Sequence, residues 1–92
     1  MKERKFLKTL KHDREVSSVT FNSLGTILAS TDARSIKLWD VKSGQEIRTI
    51  HTDEINGDAT IAFSPDGEMI ARGGDPNIQL WDIKTGEVLN RL

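Results

Sequence analysis

Ser35-Ile36-Lys37-Leu38-Trp39-Asp40 and Asn77-Ile78-Gln79-Leu80-Trp81-Asp82 are two copies of one pattern, set 42 positions apart. In an extended chain, Ile36 and Leu38 point to one face while Lys37 and Trp39 point to the other. The same offset brings Phe21 onto Phe63, Gly25 onto Gly67, Ala29 onto Ala71, Lys42 onto Lys84 and Gly44 onto Gly86. Similar pairs fill the intervals: Val19 with Ile61, Leu28 with Ile70, Val41 with Ile83, Ser43 with Thr85, Ile50 with Leu92. The alignment needs no gap from Ser17 to Ile50. A self-similar period of this length marks one supersecondary unit used twice.

The unit reads as β structure throughout. Val19 and Phe21 alternate with Ser18 and Thr20, as a half-buried strand requires. Ile27-Leu28-Ala29 and Met69-Ile70-Ala71 are short apolar runs suited to strands covered on both faces. Glu46 to Ile50 and Val88 to Leu92 complete four strands per repeat, with Val16 to Phe21 and Ala59 to Phe63 innermost. Ser64-Pro65-Asp66-Gly67 is a hairpin turn in which proline presets φ and Gly67 accepts the left-handed conformation. Asn22-Ser23-Leu24-Gly25 keeps only the glycine. Val41-Lys42-Ser43-Gly44 and Ile83-Lys84-Thr85-Gly86 join the third strands to the fourth, and Asp75-Pro76-Asn77 reads as a tight turn. No apolar stripe at helical spacing persists over three turns.

Composition excludes several functions. Thirteen Lys and Arg against fourteen Asp and Glu give a net charge of −1, without the basic excess of a nucleic-acid binder. There is no cysteine, which removes disulfides, thiolate zinc sites and cysteine nucleophiles. Met1 to Lys11 is basic, but after Met1 only Phe6, Leu7 and Leu10 are apolar, so no signal-peptide core follows. No membrane-spanning stretch is present in the sequence. These features point to a cytoplasmic chain that meets neither membrane nor nucleic acid.

Candidate chemistry is sparse. His51, Asp53, Glu54 and Asp58 crowd one loop but lack the fixed ligand spacing of a metal site, so they read as a solvated connection. Gly73-Gly74-Asp75 has neither the Lys-Ser/Thr nor the helix of a phosphate loop. No nucleophile is paired with His12 in sequence, and no serine lies in a nucleophile elbow. Lys2, Arg4, Lys5, Lys8, Lys11 and Arg14 concentrate positive charge, diluted by Glu3, Asp13 and Glu15, and read as protection of an edge strand. Trp39 and Trp81 read as core anchors with satisfied indole N–H groups rather than as a stacking platform. The expectation is no enzyme, no metal and no cofactor.

The paired Trp-Asp motifs, their strand pattern and the glycine turns together resemble the WD40-repeat family. The resemblance covers nearly the whole chain from Leu10. It implies an all-β fold of two four-stranded antiparallel blades of a β-propeller, residues 12–50 and 51–92. Residues 1–11 would supply one extra outer strand, Phe6 to Leu10, belonging to a neighbouring blade. Two blades leave two faces bare, so the pattern looks like the opening section of a longer propeller. Other copies of the chain could cover those faces instead.

The resemblance also implies roles for residues. His12, Ser30, Asp32 and Trp39 would form a hydrogen-bonded set in the first repeat. The second offers Asp75 and Trp81 but has Ala71 and Arg72 where the hydroxyl should stand, so its set would be incomplete and its blade less rigid there. Asp40 and Asp82 would complete the structural motif. Such propellers are usually rigid platforms for other proteins, which would place partner contacts at Asp13, Arg14, Ala33, Arg34 and their counterparts in the second repeat. A small-ligand or enzymatic propeller is the alternative, but the innermost strands offer little beyond Ser and Thr hydroxyls.

Overall fold

A computed structural model of the chain describes residues 10, 12, 14–52, 56–75 and 78–92, with backbone alone for 56–58 and 75. Eight strands follow one another: β1 Ser18–Phe21, β2 Ile27–Thr31, β3 Ser35–Asp40, β4 Glu46–His51, β5 Asn56–Phe63, β6 Met69–Asp75, β7 Ile78–Asp82 and β8 Val88–Arg91. They form two four-stranded antiparallel meanders, β1-β2-β3-β4 and β5-β6-β7-β8. The fold is all-β. The expected strand Phe6 to Leu10 lies outside the described residues, apart from Leu10, which is not in a strand.

Local chemistry sets the turns. Gly25 and Gly67 close the β1–β2 and β5–β6 hairpins at φ of 73° and 75°, a conformation that costs other residues strain. The first hairpin lacks Pro-Asp, and the Asn22 side chain takes over: its Oδ1 accepts from the N–H groups of Thr26 and Ile27. Ser64 Oγ does similar work in the second by accepting from Met69 N–H. Each β3–β4-type pair breaks register at its tryptophan, where Trp39 faces Glu46 and Leu38 faces Arg48, and Trp81 faces Val88 and Leu80 faces Asn90. The extra residues of these bulges, Ile47 and Leu89, are exposed.

Two elements run longer than their sequence suggests. β5 begins at Asn56 rather than Ala59, and β6 continues beyond the Met69-Ile70-Ala71 run to Asp75. The reason is cross-strand pairing of Asn56 with Asp75 and Thr60 with Gly73. Gly73-Gly74 has little strand preference of its own and is held extended by its partner. Asp75 ends the strand, and Pro76 and Asn77 of the expected turn lie outside the described residues.

The sheets stack face to face. Ala29, Ile36, Leu38 and Ile50 of the first pack with Ile61, Ile70 and Trp81 of the second. Polar ties flank this core. Near the inner strands Ser17 Oγ donates to Ala59 O at 2.7 Å. At the outer edge the Arg48 guanidinium donates to Lys84 O at 2.7 Å and lies against Gly86. At the β2–β3 turn, Arg72 of the second sheet donates to Thr31 Oγ1, Asp32 O and Ala33 O, each at 3.0 Å. Arg72 is completely buried.

The repeat gives an internal comparison of covered and uncovered faces. Ile36 is 0% exposed beneath the second sheet, whereas its counterpart Ile78 is 47% exposed; Ile50 is 3% exposed and Leu92 65%. On the opposite side Ile61 is buried against the first sheet while its counterpart Val19 is exposed. The stack thus ends in a leading face on the first sheet and a trailing face on the second, both apolar and left open by the described residues.

Candidate functional site

The most connected polar cluster lies where the segment before β1 crosses the ends of β2 and β3. Trp39 Nε1–H donates to Ser30 Oγ at 2.8 Å. Ser30 Oγ meets His12 Nε2, and His12 Nδ1 lies 3.0 Å from Asp32 Oδ2. An ionised carboxylate can only accept, so Nδ1 carries a proton, and in the neutral ring Nε2 then accepts from the Ser30 hydroxyl. The other Asp32 oxygen accepts from Arg34 N–H, Ser35 N–H and the Ser35 hydroxyl at 2.7–3.1 Å. Burial alone would raise the Asp32 carboxyl, but the donors from His12, Arg34 and Ser35 outweigh it and hold the pKa at about 2. One aspartate thereby fixes the whole β2–β3 turn.

No nucleophile is paired with His12 in sequence, but the fold sets Ser30 beside it. Ser30, His12 and Asp32 share the connectivity of an acyl-transfer triad, across sequence separations of 18 and 20 that conceal it. Its surroundings are wrong for that chemistry. Ser30 sits inside β2, and its Oγ already accepts the tryptophan N–H. Its strand is paired with β1 and β3, so the local backbone offers no free N–H pair to an oxyanion.

The second repeat lacks this set, and the expectation of two satisfied indoles fails there. Trp81 Nε1 is buried without a hydrogen-bond partner among the described residues, because Arg72 stands where Ser30 stands in the first repeat. Arg72 faces the neighbouring sheet instead. Sequence reading registered it only as a missing hydroxyl. Its place on the Trp81 side of the strand was the available signal that its charge would be carried into the junction. Asp75 is described by backbone alone, paired with Asn56.

Asp40 and Asp82 act at the other end of the sheets. Asp40 Oδ2 accepts from Ser43 N–H at 2.8 Å, and Asp82 Oδ1 from Lys84 and Thr85 N–H at 2.8 and 3.0 Å. Hydrogen bonds from Ser43 hold the Asp40 carboxyl below its usual range. The tryptophan thus anchors the sheet while the following aspartate caps the turn.

Of the partner-contact candidates, Asp13 lies outside the described residues. Arg14 and Arg34 come together, 20 residues apart in sequence, at one open groove of about 370 Å³ that Asp32, Ser35, Lys37, Thr49 and His51 also line. A second groove of about 330 Å³, lined by Leu10, His12, Val16, Val19, Leu28, Ser30 and Trp39, runs along the apolar leading face. Asp53, Glu54 and the Asp58 side chain lie outside the described residues, and among those described no group of three or more His, Cys, Asp or Glu could hold a metal ion.

Stacked four-stranded meanders, each with a Trp-Asp at the end of its third strand, define a repeat protein of the propeller kind. The chain belongs to the WD40 repeat family: the model described as "WD domain, G-beta repeat" matches residues 4–40 and 44–82. Each matched segment ends on a Trp-Asp pair, so the second runs from β4 to β7 and straddles both sheets. Among solved structures the chain is similar to that of U3-55K, at 21% identity and a TM-score of 0.74. The match covers 89% of this chain and 27% of that one, so this chain spans about a quarter of its length. No curated protein matches the sequence.

Proposed function

We propose that the chain is a non-catalytic platform for other proteins, with contacts at the end of the first blade that carries the β2–β3 turn. The observation that supports this most directly is the pinning of that turn. Asp32 holds the backbone N–H groups of Arg34 and Ser35, and Arg34 O accepts from Thr52 N–H at 2.8 Å. Arg34 is thereby displayed on a preorganised loop, which lowers the ordering cost of binding. No reaction is assigned to the buried Ser30. The two uncovered faces suit further blades, from the same chain or from other copies, and the absence of cysteine suits the cytoplasm.

Site-directed crosslinking tests the reading. A single Ala33→Cys substitution in this cysteine-free chain would carry a photo-crosslinker, with Lys42→Cys at the opposite end as control. Adducts with an identifiable protein at Ala33→Cys and none at Lys42→Cys are expected. Equal labelling from both ends would count against the assignment.

A further inference from the structure

Resting on the reading that the two open faces receive further blades, we propose that copies of this chain stack head to tail. The trailing face of one copy seats on the leading face of the next. The internal junction supplies the template. There Ala29, Ile36, Leu38 and Ile50 of the first sheet pack with Ile61, Ile70 and Trp81 of the second. At the 42-residue offset the trailing face presents Ala71, Ile78, Leu80 and Leu92, the first three identical to their counterparts. The leading face presents Val19, Leu28 and Trp39 where the second sheet has Ile61, Ile70 and Trp81. A second copy therefore brings the same apolar shapes to both sides of a junction already seen within the chain. A partner of unrelated sequence would have to match them anew. Val19 and Ile78, at the two ends of the stack, are 57% and 47% exposed, and a groove of about 330 Å³ runs along the leading face. Contiguous apolar surface of this kind marks an interface.

The polar ties set the strength of that contact. Arg72, which enters the first blade at Thr31, Asp32 and Ala33, is replaced at the copy junction by Ser30, whose hydroxyl is engaged with Trp39 and His12. Ser17, which donates to Ala59 O, is replaced by an alanine. Arg48, which donates to Lys84 O beside Gly86, is replaced by the shorter Asn90, opposite Lys42 and Gly44. Lys37 stands where buried Gln79 stands in the internal junction. It brings its own counter-charge, Glu46 Oε1 at 3.0 Å, so covering it buries a pair and not a lone cation. The copy junction thus keeps the apolar core but lacks the guanidinium clamp, and it forms in a concentration-dependent way. The contact is heterologous and grows until the rotation closes. With two blades per copy, a ring of about four to eight blades takes about two to four copies.

The test is light scattering of the 92-residue chain after size exclusion, from about 1 to about 200 µM. Val19→Glu blocks the leading face and Ile78→Glu the trailing face; tryptophan emission checks folding of each variant. The unaltered chain should gain mass with concentration. Each single variant should stay monomeric to concentrations at least about tenfold higher. Their equimolar mixture should form a one-to-one pair and nothing larger, because one open face of each kind remains. Asn90→Arg should tighten self-association about fivefold by restoring the outer tie. Leu24→Glu should change nothing: this leucine is 82% exposed in the β1–β2 turn, and its counterpart Asp66 stays exposed in the covered blade. A monomer at every concentration, self-association of either single variant, or a mixture that stays monomeric or grows past the pair overturns the proposal. So does weakening by Leu24→Glu, or no gain from Asn90→Arg. The platform reading is judged separately: partner adducts at Ala33→Cys that persist in a chain that stays monomeric remove only the head-to-tail proposal.

Discussion

Substituting Arg72 isolates what holds the two blades together. Its side chain is 0% exposed and, among the described residues, makes three hydrogen bonds into the preceding blade. Arg72→Ala removes these and leaves a cavity at the junction, at a cost of about 3–5 kcal/mol. That is comparable with the whole stability of a small domain. Arg72→Met keeps most of the volume and relieves the desolvation of a guanidinium. Two of the three acceptors keep other work through one shared proton, which the Thr31 hydroxyl directs toward Ser35 O and Asp32 O. The expected cost is therefore only about 1–2 kcal/mol. Arg72→Lys should fall between, since an ammonium cannot match the planar fork. Urea unfolding followed by tryptophan fluorescence measures all three. A Met variant as damaged as the Ala variant would refute the reasoning, because hydrogen bonds rather than filled volume would then dominate. An Ala variant within about 1 kcal/mol of the parent would refute the clamp itself.

Trp39→Phe should destabilise by about 1 kcal/mol more than Trp81→Phe, because only Trp39 loses an indole hydrogen bond; paired denaturation curves check this. Asp32 ionises in the folded chain at about 2 against an ordinary 3.8. Its contribution is thus present above about pH 4 and lost as pH falls toward 2, amounting to about 1 kcal/mol after solvent screening. Asp32→Asn should remove that part of the acid dependence in a pH series of urea melts. Gly86→Ala should cost more than Gly67→Ala: both adopt φ +75°, but only at Gly86 would a Cβ meet a neighbour, Arg48 Nη1 at 3.1 Å. Roughly 1–2 against 1 kcal/mol is expected by thermal melting.

What was legible in the amino-acid order was whatever repeats locally. Period-two alternation about Trp39 and Trp81 specified strands and their faces, because a strand turns each successive side chain over. Glycines at fixed offsets specified the hairpins, because few other residues accept positive φ. The uncovered leading and trailing faces followed from the count of repeats. Of the first-repeat polar cluster, the members could be named only through family resemblance, since nothing local joins His12 to residues 18 and 20 positions away.

Tertiary structure alone decided where unlike elements meet. Asn56 and Asp75 are extended because each supplies the other's strand partner, which the glycines between Arg72 and Asp75 conceal. Arg72 looks like a defect in one blade until the neighbouring blade presents three oxygens to it. Arg14 and Arg34 share a groove only because β2 and β3 return the chain to the segment before β1. Local sequence carries backbone preference and side-chain direction, but the partner of a buried charge is set by packing between sheets, and that is a property of the assembled stack.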